Sequence, residues 1–122
     1  MREIKFRFWS KYLNKFVIPS DDIFVGALKD PKMVPMQFTG LKDKNGIPVF
    51  EGDIVKYLET VSFDYSDKEE VITEVKFEDG AFTPIYLLTR EFHNSDDELI
   101  IVEDIKVIGN IYENPDLLKS KI

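Results

Sequence analysis

Val49-Phe50-Glu51-Gly52-Asp53-Ile54-Val55-Lys56-Tyr57-Leu58 runs from a turn into a strand. Its second half is β-branched and aromatic, the composition that suits a pleated, half-buried surface. The glycine ahead of it tolerates backbone angles closed to other residues, and an aspartate at the mouth of a strand accepts hydrogen bonds from turn amides. A Gly-Asp step into a strand opens many small SH3-like barrels. The expected fold is therefore mainly β: short antiparallel strands with a small SH3-like barrel-type portion, an N-terminal β-hairpin extension and a short C-terminal helical turn.

On the N-terminal side of this stretch, Asn45-Gly46 suits the two positive φ values of a type I′ turn, so a tight turn is expected there. Earlier still, Ile4, Phe6 and Phe8 alternate with Lys5, Arg7 and Trp9, the period of a strand with one apolar face. Phe16-Val17-Ile18 reads as its return arm, stopped by Pro19, which has no N–H to donate. Between Ser20 and Pro35, Gly26, Pro31 and Pro35 interrupt the pattern and no helical period is evident.

On the C-terminal side, Asp64 to Glu70 is acidic and reads as an exposed loop. Val71, Thr73, Val75 and Phe77 share one side of a strand, and Asp79-Gly80 turns it into a hairpin over residues 71–88, with Pro84 in the second arm. Arg90 to Glu98 reads as a solvated loop. Leu99 to Val102 and Ile105 to Ile108 read as two short strands, and Asn114-Pro115-Asp116 opens one or two helical turns. These readings give one domain, 1–122, made of an N-terminal hairpin (1–20), an irregular connection and turn (21–51), a β-barrel-like body (52–112) and a C-terminal tail (113–122).

A chain of 122 residues buries roughly two thirds of its unfolded surface and needs no disulfide or metal to fold. The absence of cysteine excludes thiolate zinc sites and cysteine nucleophiles, and accords with a cytoplasmic location. The first residues alternate charged and apolar side chains, unlike a secretory signal, and no apolar run approaches the ~20 residues of a membrane helix. No membrane association is expected.

Net charge is −7, which argues against a general polyanion binder. The charge is unevenly placed. Residues 1–20 hold five basic side chains and one acidic, a net of +4; the other 102 hold eleven basic and twenty-two acidic, a net of −11. A basic arm on an acidic body can orient itself against its own subunit or a neighbouring one. Within the arm, Lys5, Arg7 and Lys11 interleave with Trp9 and Tyr12. These five residues are the candidate interaction surface, because aromatic faces can stack on bases while cations meet phosphates.

Three segments together resemble the YopX family. They are Arg2 to Trp9; Met36-Gln37-Phe38-Thr39-Gly40-Leu41-Lys42-Asp43-Lys44-Asn45-Gly46 continuing to Phe50-Glu51-Gly52-Asp53-Ile54-Val55; and Val107-Ile108-Gly109-Asn110-Ile111-Tyr112-Glu113-Asn114-Pro115. The resemblance spans almost the full length. It implies a phage or prophage protein with a β-rich fold that self-associates, and it supplies no catalytic residues. It departs mainly at Val61 to Glu70 and Arg90 to Glu98.

No catalytic, cofactor-binding or metal-binding residue is assigned, and no cofactor is expected. His93 is the one histidine, so no His-based metal site can form within a single chain. Asp96-Asp97-Glu98 and Glu103-Asp104 lack EF-hand spacing. Glu51 and Asp53 are the carboxylate pair that would serve acid–base chemistry, with Asp53 bonding turn amides as the structural alternative. The expected function is a non-enzymatic phage accessory module that forms a homo-oligomer or binds a phage or host protein. The alternatives are single-stranded nucleic-acid binding through the arm and a carboxylate-based hydrolase.

Overall fold

The computed structural model describes residues 5–60, 67–78, 81–83, 91–93 and 99–119. The expected N-terminal hairpin is present: β1 (Phe6–Ser10) pairs antiparallel with β2 (Lys15–Val17), placing Trp9 opposite Phe16. Asn14 takes φ 54° in the intervening turn, a left-handed conformation that asparagine tolerates.

The segment expected to be irregular is ordered. Helix α1 (Asp21–Lys29) is followed by a ten-residue strand, β3 (Met33–Lys42). Ile23, Val25 and Gly26 are poor helix formers, so local propensity conceals α1. Packing stabilises it instead: Phe24 meets the rings of Phe6 and Phe8 at 6.1 and 5.6 Å, and Ala27 is buried. Lys29 lies in its last turn, which is favourable to the helix dipole.

Pro35 lies within β3 without breaking it. The bond from the Phe38 amide to the Lys5 carbonyl marks alternate rungs of the β1–β3 ladder as hydrogen-bonded, and Phe8↔Pro35 falls on an open rung. The missing N–H therefore costs β1 no ladder bond. β4 (Pro48–Phe50) pairs with β3 farther along, completing the sheet order β2-β1-β3-β4.

The β3–β4 turn is tight, but its form differs from type I′. Only Gly46 has positive φ (80°); Asn45 does not. Gly46 N–H donates to the Asp43 carbonyl and Asp43 N–H to the Ile47 carbonyl, the pattern of a turn closed by a left-handed glycine bulge. Asp43 determines this form. Its buried carboxylate accepts N–H bonds from Asn45 (2.8 Å), Ile47 (2.9 Å) and, 64 residues away, Val107 (2.9 Å).

β5 (Asp53–Thr60) is one of the two inner strands of the second sheet, whose order is β6-β5-β10-β9, with β6 (Lys68–Glu74), β9 (Glu91–His93) and β10 (Leu99–Asn110). Three expectations change here. β6 begins inside the stretch read as an acidic loop, and residues 91–93 of the supposed loop at 90–98 pair with 99–101. The two short strands expected after Leu99 are one strand of twelve residues. Glu103-Asp104 does not interrupt it, because Asp104 adopts φ 57° and two residues, Asp104 and Ile105, stand against Tyr57 in a β-bulge.

The hairpin expected over 71–88 is shorter than expected. β7 (Lys76–Glu78) pairs with β8 (Ala81–Thr83), while β6 pairs with β5; the change of partner occurs at Val75, whose amide and carbonyl bond Asp53 and Gly52. The Asp79-Gly80 turn, Val61 to Tyr65, Pro84 and Asn94 to Asp97 lie outside the described residues. At the C-terminus, α2 (Asp116–Lys119) is the expected helical turn.

The second sheet forms a half-barrel, against which the first sheet packs. Its core holds Val49 from the first sheet, Val55, Tyr57, Val102 and Ile105 from the second, and Val75, with Leu41, Val71 and Val107 against them. Each such aliphatic side chain contributes about 1.5–3 kcal/mol through burial. No helix among the described residues is long and apolar enough to cross a membrane.

Burial alone would raise the Asp43 carboxyl, but the N–H groups of Val107, Ile47 and Asn45 and the charge of Lys106 outweigh it and hold the group below the usual carboxylate range. A depressed folded-state pKa stabilises fully above the unfolded value, and that contribution is lost as pH falls through the folded one. Asp43→Ala is therefore expected to cost about 1–3 kcal/mol in urea unfolding near neutral pH, and less in acid where the wild type loses the same contribution.

Candidate interaction surface

The hairpin meets the half-barrel through Arg7 and Trp9. Arg7 Nη2 donates to Asp53 Oδ1, with only 17% of the arginine side chain and 3% of the aspartate exposed. The guanidinium lies over the rings of Phe16 and Phe50 at 4.0 and 4.6 Å. The other Asp53 oxygen accepts the Phe50 N–H at 2.8 Å, so the Gly-Asp step closes its own turn as expected. Gly52 has φ 89°, which favours glycine, and a Cβ there would press on the end of the Met36 side chain at 3.1 Å.

Trp9 is 6% exposed. Phe16 packs edge-on against it and Tyr112 stacks nearly parallel, each with centroids 5.0 Å apart. Asn110 shapes the turn that presents Tyr112: its Oδ1 accepts the amides of Tyr112 and Glu113, and its Nδ2 donates to Glu113. Gly109, near the end of β10, leaves room for Asn114, whose Oδ1 and Cβ would lie 2.6 and 2.9 Å from a Cβ added there. Burial pushes the Tyr112 phenol up, helped by the charges of Glu51 and Glu74.

The five residues of the sequence-based surface thus occupy different environments. Arg7 and Trp9 are packed between the hairpin and the half-barrel, and the Lys5 ammonium lies 4.6 Å from the Phe38 ring centre. Lys11 and Tyr12 are exposed in the β1–β2 turn. Tyr12 Oη donates to the Asp30 carboxylate, at 2.9 and 3.2 Å from its two oxygens, and Lys32 sits 5.2 Å from the ring centre. Hydrogen bonding to Asp30 raises the phenol above its ordinary value. Glu51 and Asp53 do not act as a pair: Glu51 accepts the Gln37 N–H and lines a groove with Glu74 and Glu78, whereas Asp53 is committed to Arg7. Among the described residues no group of three or more His, Asp or Glu converges as a metal site.

The surface that sequence reasoning missed is apolar. Of the eight large apolar side chains exposed among the described residues, six lie between positions 12 and 28: Tyr12, Leu13, Ile18, Ile23, Val25 and Leu28. Ile18 is 81% exposed and Ile23 59%. Both line an open groove of about 620 Å³ between the end of β2 and α1, together with Val17, Ala27 and Met33. Helix α1 uses Phe24 and Ala27 to cover β1 and leaves its other apolar side chains outward. Ile18 was expected within the return strand, whereas β2 ends at Val17, and the outward face of α1 is evident only once the helix is.

A family model described as YopX protein matches residues 18–119, and the chain belongs to the YopX family. It is also similar to the crystal structure of protein EF1440 from Enterococcus faecalis, with 27% identity and a TM-score of 0.58 over 97% of this chain and 99% of that one. No curated protein matches it.

Burial is the main influence on Asp53 and moves its carboxyl upward, while Arg7 and the Phe50 N–H oppose it; the net direction is up. The sign is opposite to that of Asp43: a raised folded-state pKa lowers stability as pH rises through it. Arg7→Met removes the opposing charge and strands Asp53. The substitution is expected to cost about 3–5 kcal/mol near neutral pH and distinctly less in mild acid, where Asp53 takes up a proton, as denaturant titrations at the two pH values would measure.

Proposed function

We propose that this is a phage or prophage accessory protein that works as an interaction module rather than an enzyme, and that a second copy of the chain occupies the groove between β2 and α1. The observation that carries this reading is the exposure of Ile18 and Ile23 on that groove, with Val25 and Leu28 exposed elsewhere on α1. A monomer gains nothing from exposing Ile18 and Ile23 side by side, whereas association removes them from water at about 25 cal/mol per Å². β2 is an edge strand, so its outer hydrogen-bonding groups border the same groove.

Charge supports a second copy as the occupant. The first twenty residues are net positive and the rest strongly negative, so one copy's arm is attracted to another's body. The alternative reading, a single-stranded nucleic acid on the arm, is left with Lys11 and Tyr12, since Trp9 has too little exposed surface to stack on a base.

Light scattering coupled to size exclusion at micromolar concentration tests the proposal. The expected result is an oligomer whose mass is indifferent to a mixed single-stranded oligonucleotide, and which Ile18→Glu with Ile23→Glu converts to folded monomer. A wild-type monomer would refute self-association. A mass increase with oligonucleotide that salt abolishes would transfer the assignment to nucleic acid.

A further inference from the structure

We propose that Lys44, Lys56 and Lys106 form a binding pocket for a phosphoryl group, on the half-barrel and independent of the association groove. The three lysines line one concavity of about 200 Å³ with Tyr57, Leu58, Glu70 and Asp104. They reach it from three separate segments: the β3–β4 turn, β5 and β10.

The backbone fixes their convergence. Lys56 and Lys106 are direct cross-strand partners, and the Lys44 amide donates to the carbonyl of Ile105 at 2.9 Å, beside Lys106. Like charges directly opposite one another on a sheet destabilise it, so this pairing violates a local rule in a chain whose net charge is −7 and which has acids to spare. The β-bulge lies immediately before Lys106, with Asp104 in a left-handed conformation. Bulges re-aim side chains; here Ile105 stays in the core while Lys106 stands opposite Lys56.

The carboxylates that line the pocket do not match its lysines in number. Glu70 reaches Lys56 at 3.6 Å, but both side chains are substantially exposed and such a pair is weak. Asp43, next to Lys44 but outside the lining, directs its carboxylate oxygens at three backbone amides, while its charge still acts on Lys106. Glu103 is paired with Lys68 at 2.9 Å. The lining alone carries three lysines against Glu70 and Asp104, and Lys44 and Lys106 form no ion pair among the described residues. A phosphoryl group supplies three acceptor oxygens and up to two negative charges, matching three mobile ammonium donors better than a carboxylate does.

The test is an amide NMR titration of the full chain with sodium phosphate, with sodium chloride at equal ionic strength, and with a single-stranded DNA oligonucleotide. Phosphate is expected to move the resonances of Lys44, Lys56 and Asp104 to Lys106 where chloride does not, and Lys44→Gln with Lys106→Gln should weaken this at least about tenfold. Both positions are exposed, so the variant's unchanged amide dispersion would show an intact fold. If the oligonucleotide moves the same resonances at lower concentration, the phosphoryl group belongs to a nucleic-acid strand; if phosphate alone does, it belongs to a small ligand. Equal responses to phosphate and chloride, or a variant that responds like the wild type, would overturn the proposal.

Discussion

The Arg7–Asp53 pair is the constraint on which the rest of the architecture depends. Two charges removed from water are costly unless each is held by the other and by further hydrogen bonds. Here the carboxylate is shared between a guanidinium from β1 and the Phe50 amide at the mouth of β5, and Phe16 and Phe50 cover the guanidinium. One residue of the hairpin therefore has a single place to go on the half-barrel. Because Arg7 and Trp9 lie on the same side of β1, docking one docks the other, and Trp9 arrives against Tyr112.

The three segments that carry the family resemblance meet at this point. The N-terminal strand supplies Arg7 and Trp9, the Gly-Asp step supplies Phe50 and Asp53, and the Gly109-Asn110 turn supplies Tyr112. Backbone bonds lock the Gly-Asp step from three directions: Glu51 to Gln37, Gly52 to Val75 and Ile111 to Gly52. The family's most specific residues thus account for the joint between hairpin and half-barrel. They do not account for the outward face of α1, and of the three lysines of the proposed pocket they include Lys44 alone.

β1 is covered on both faces, by Phe24 of helix α1 on one and by the half-barrel on the other. An alternating strand of charged and apolar residues ordinarily has a wet face, which made Lys5, Arg7, Trp9, Lys11 and Tyr12 read as one surface. A long side chain can instead bury its stem and spend its charge on an internal partner, as Arg7 does. The residues left for solvent are those of the turn, Lys11 and Tyr12.

What the sequence determined by itself is local. Alternation defined β1, Pro19 followed the end of β2, Gly52 and Asp53 defined the entry to β5, and Asn114-Pro115 preceded α2, because each rests on backbone angles or on the period of a few residues. The tertiary structure decided the remainder. Helix α1 exists because Phe24 finds Phe6 and Phe8, β3 passes through Pro35 because the open rung falls there, and β10 is continuous because a bulge absorbs Glu103-Asp104 against β5. Asp43 chooses its turn with help from Val107, and the lysines of the proposed pocket meet only through strand register. These outcomes depend on partners tens of residues away, and neither propensity nor spacing within a short window carries information about which partner a side chain will meet.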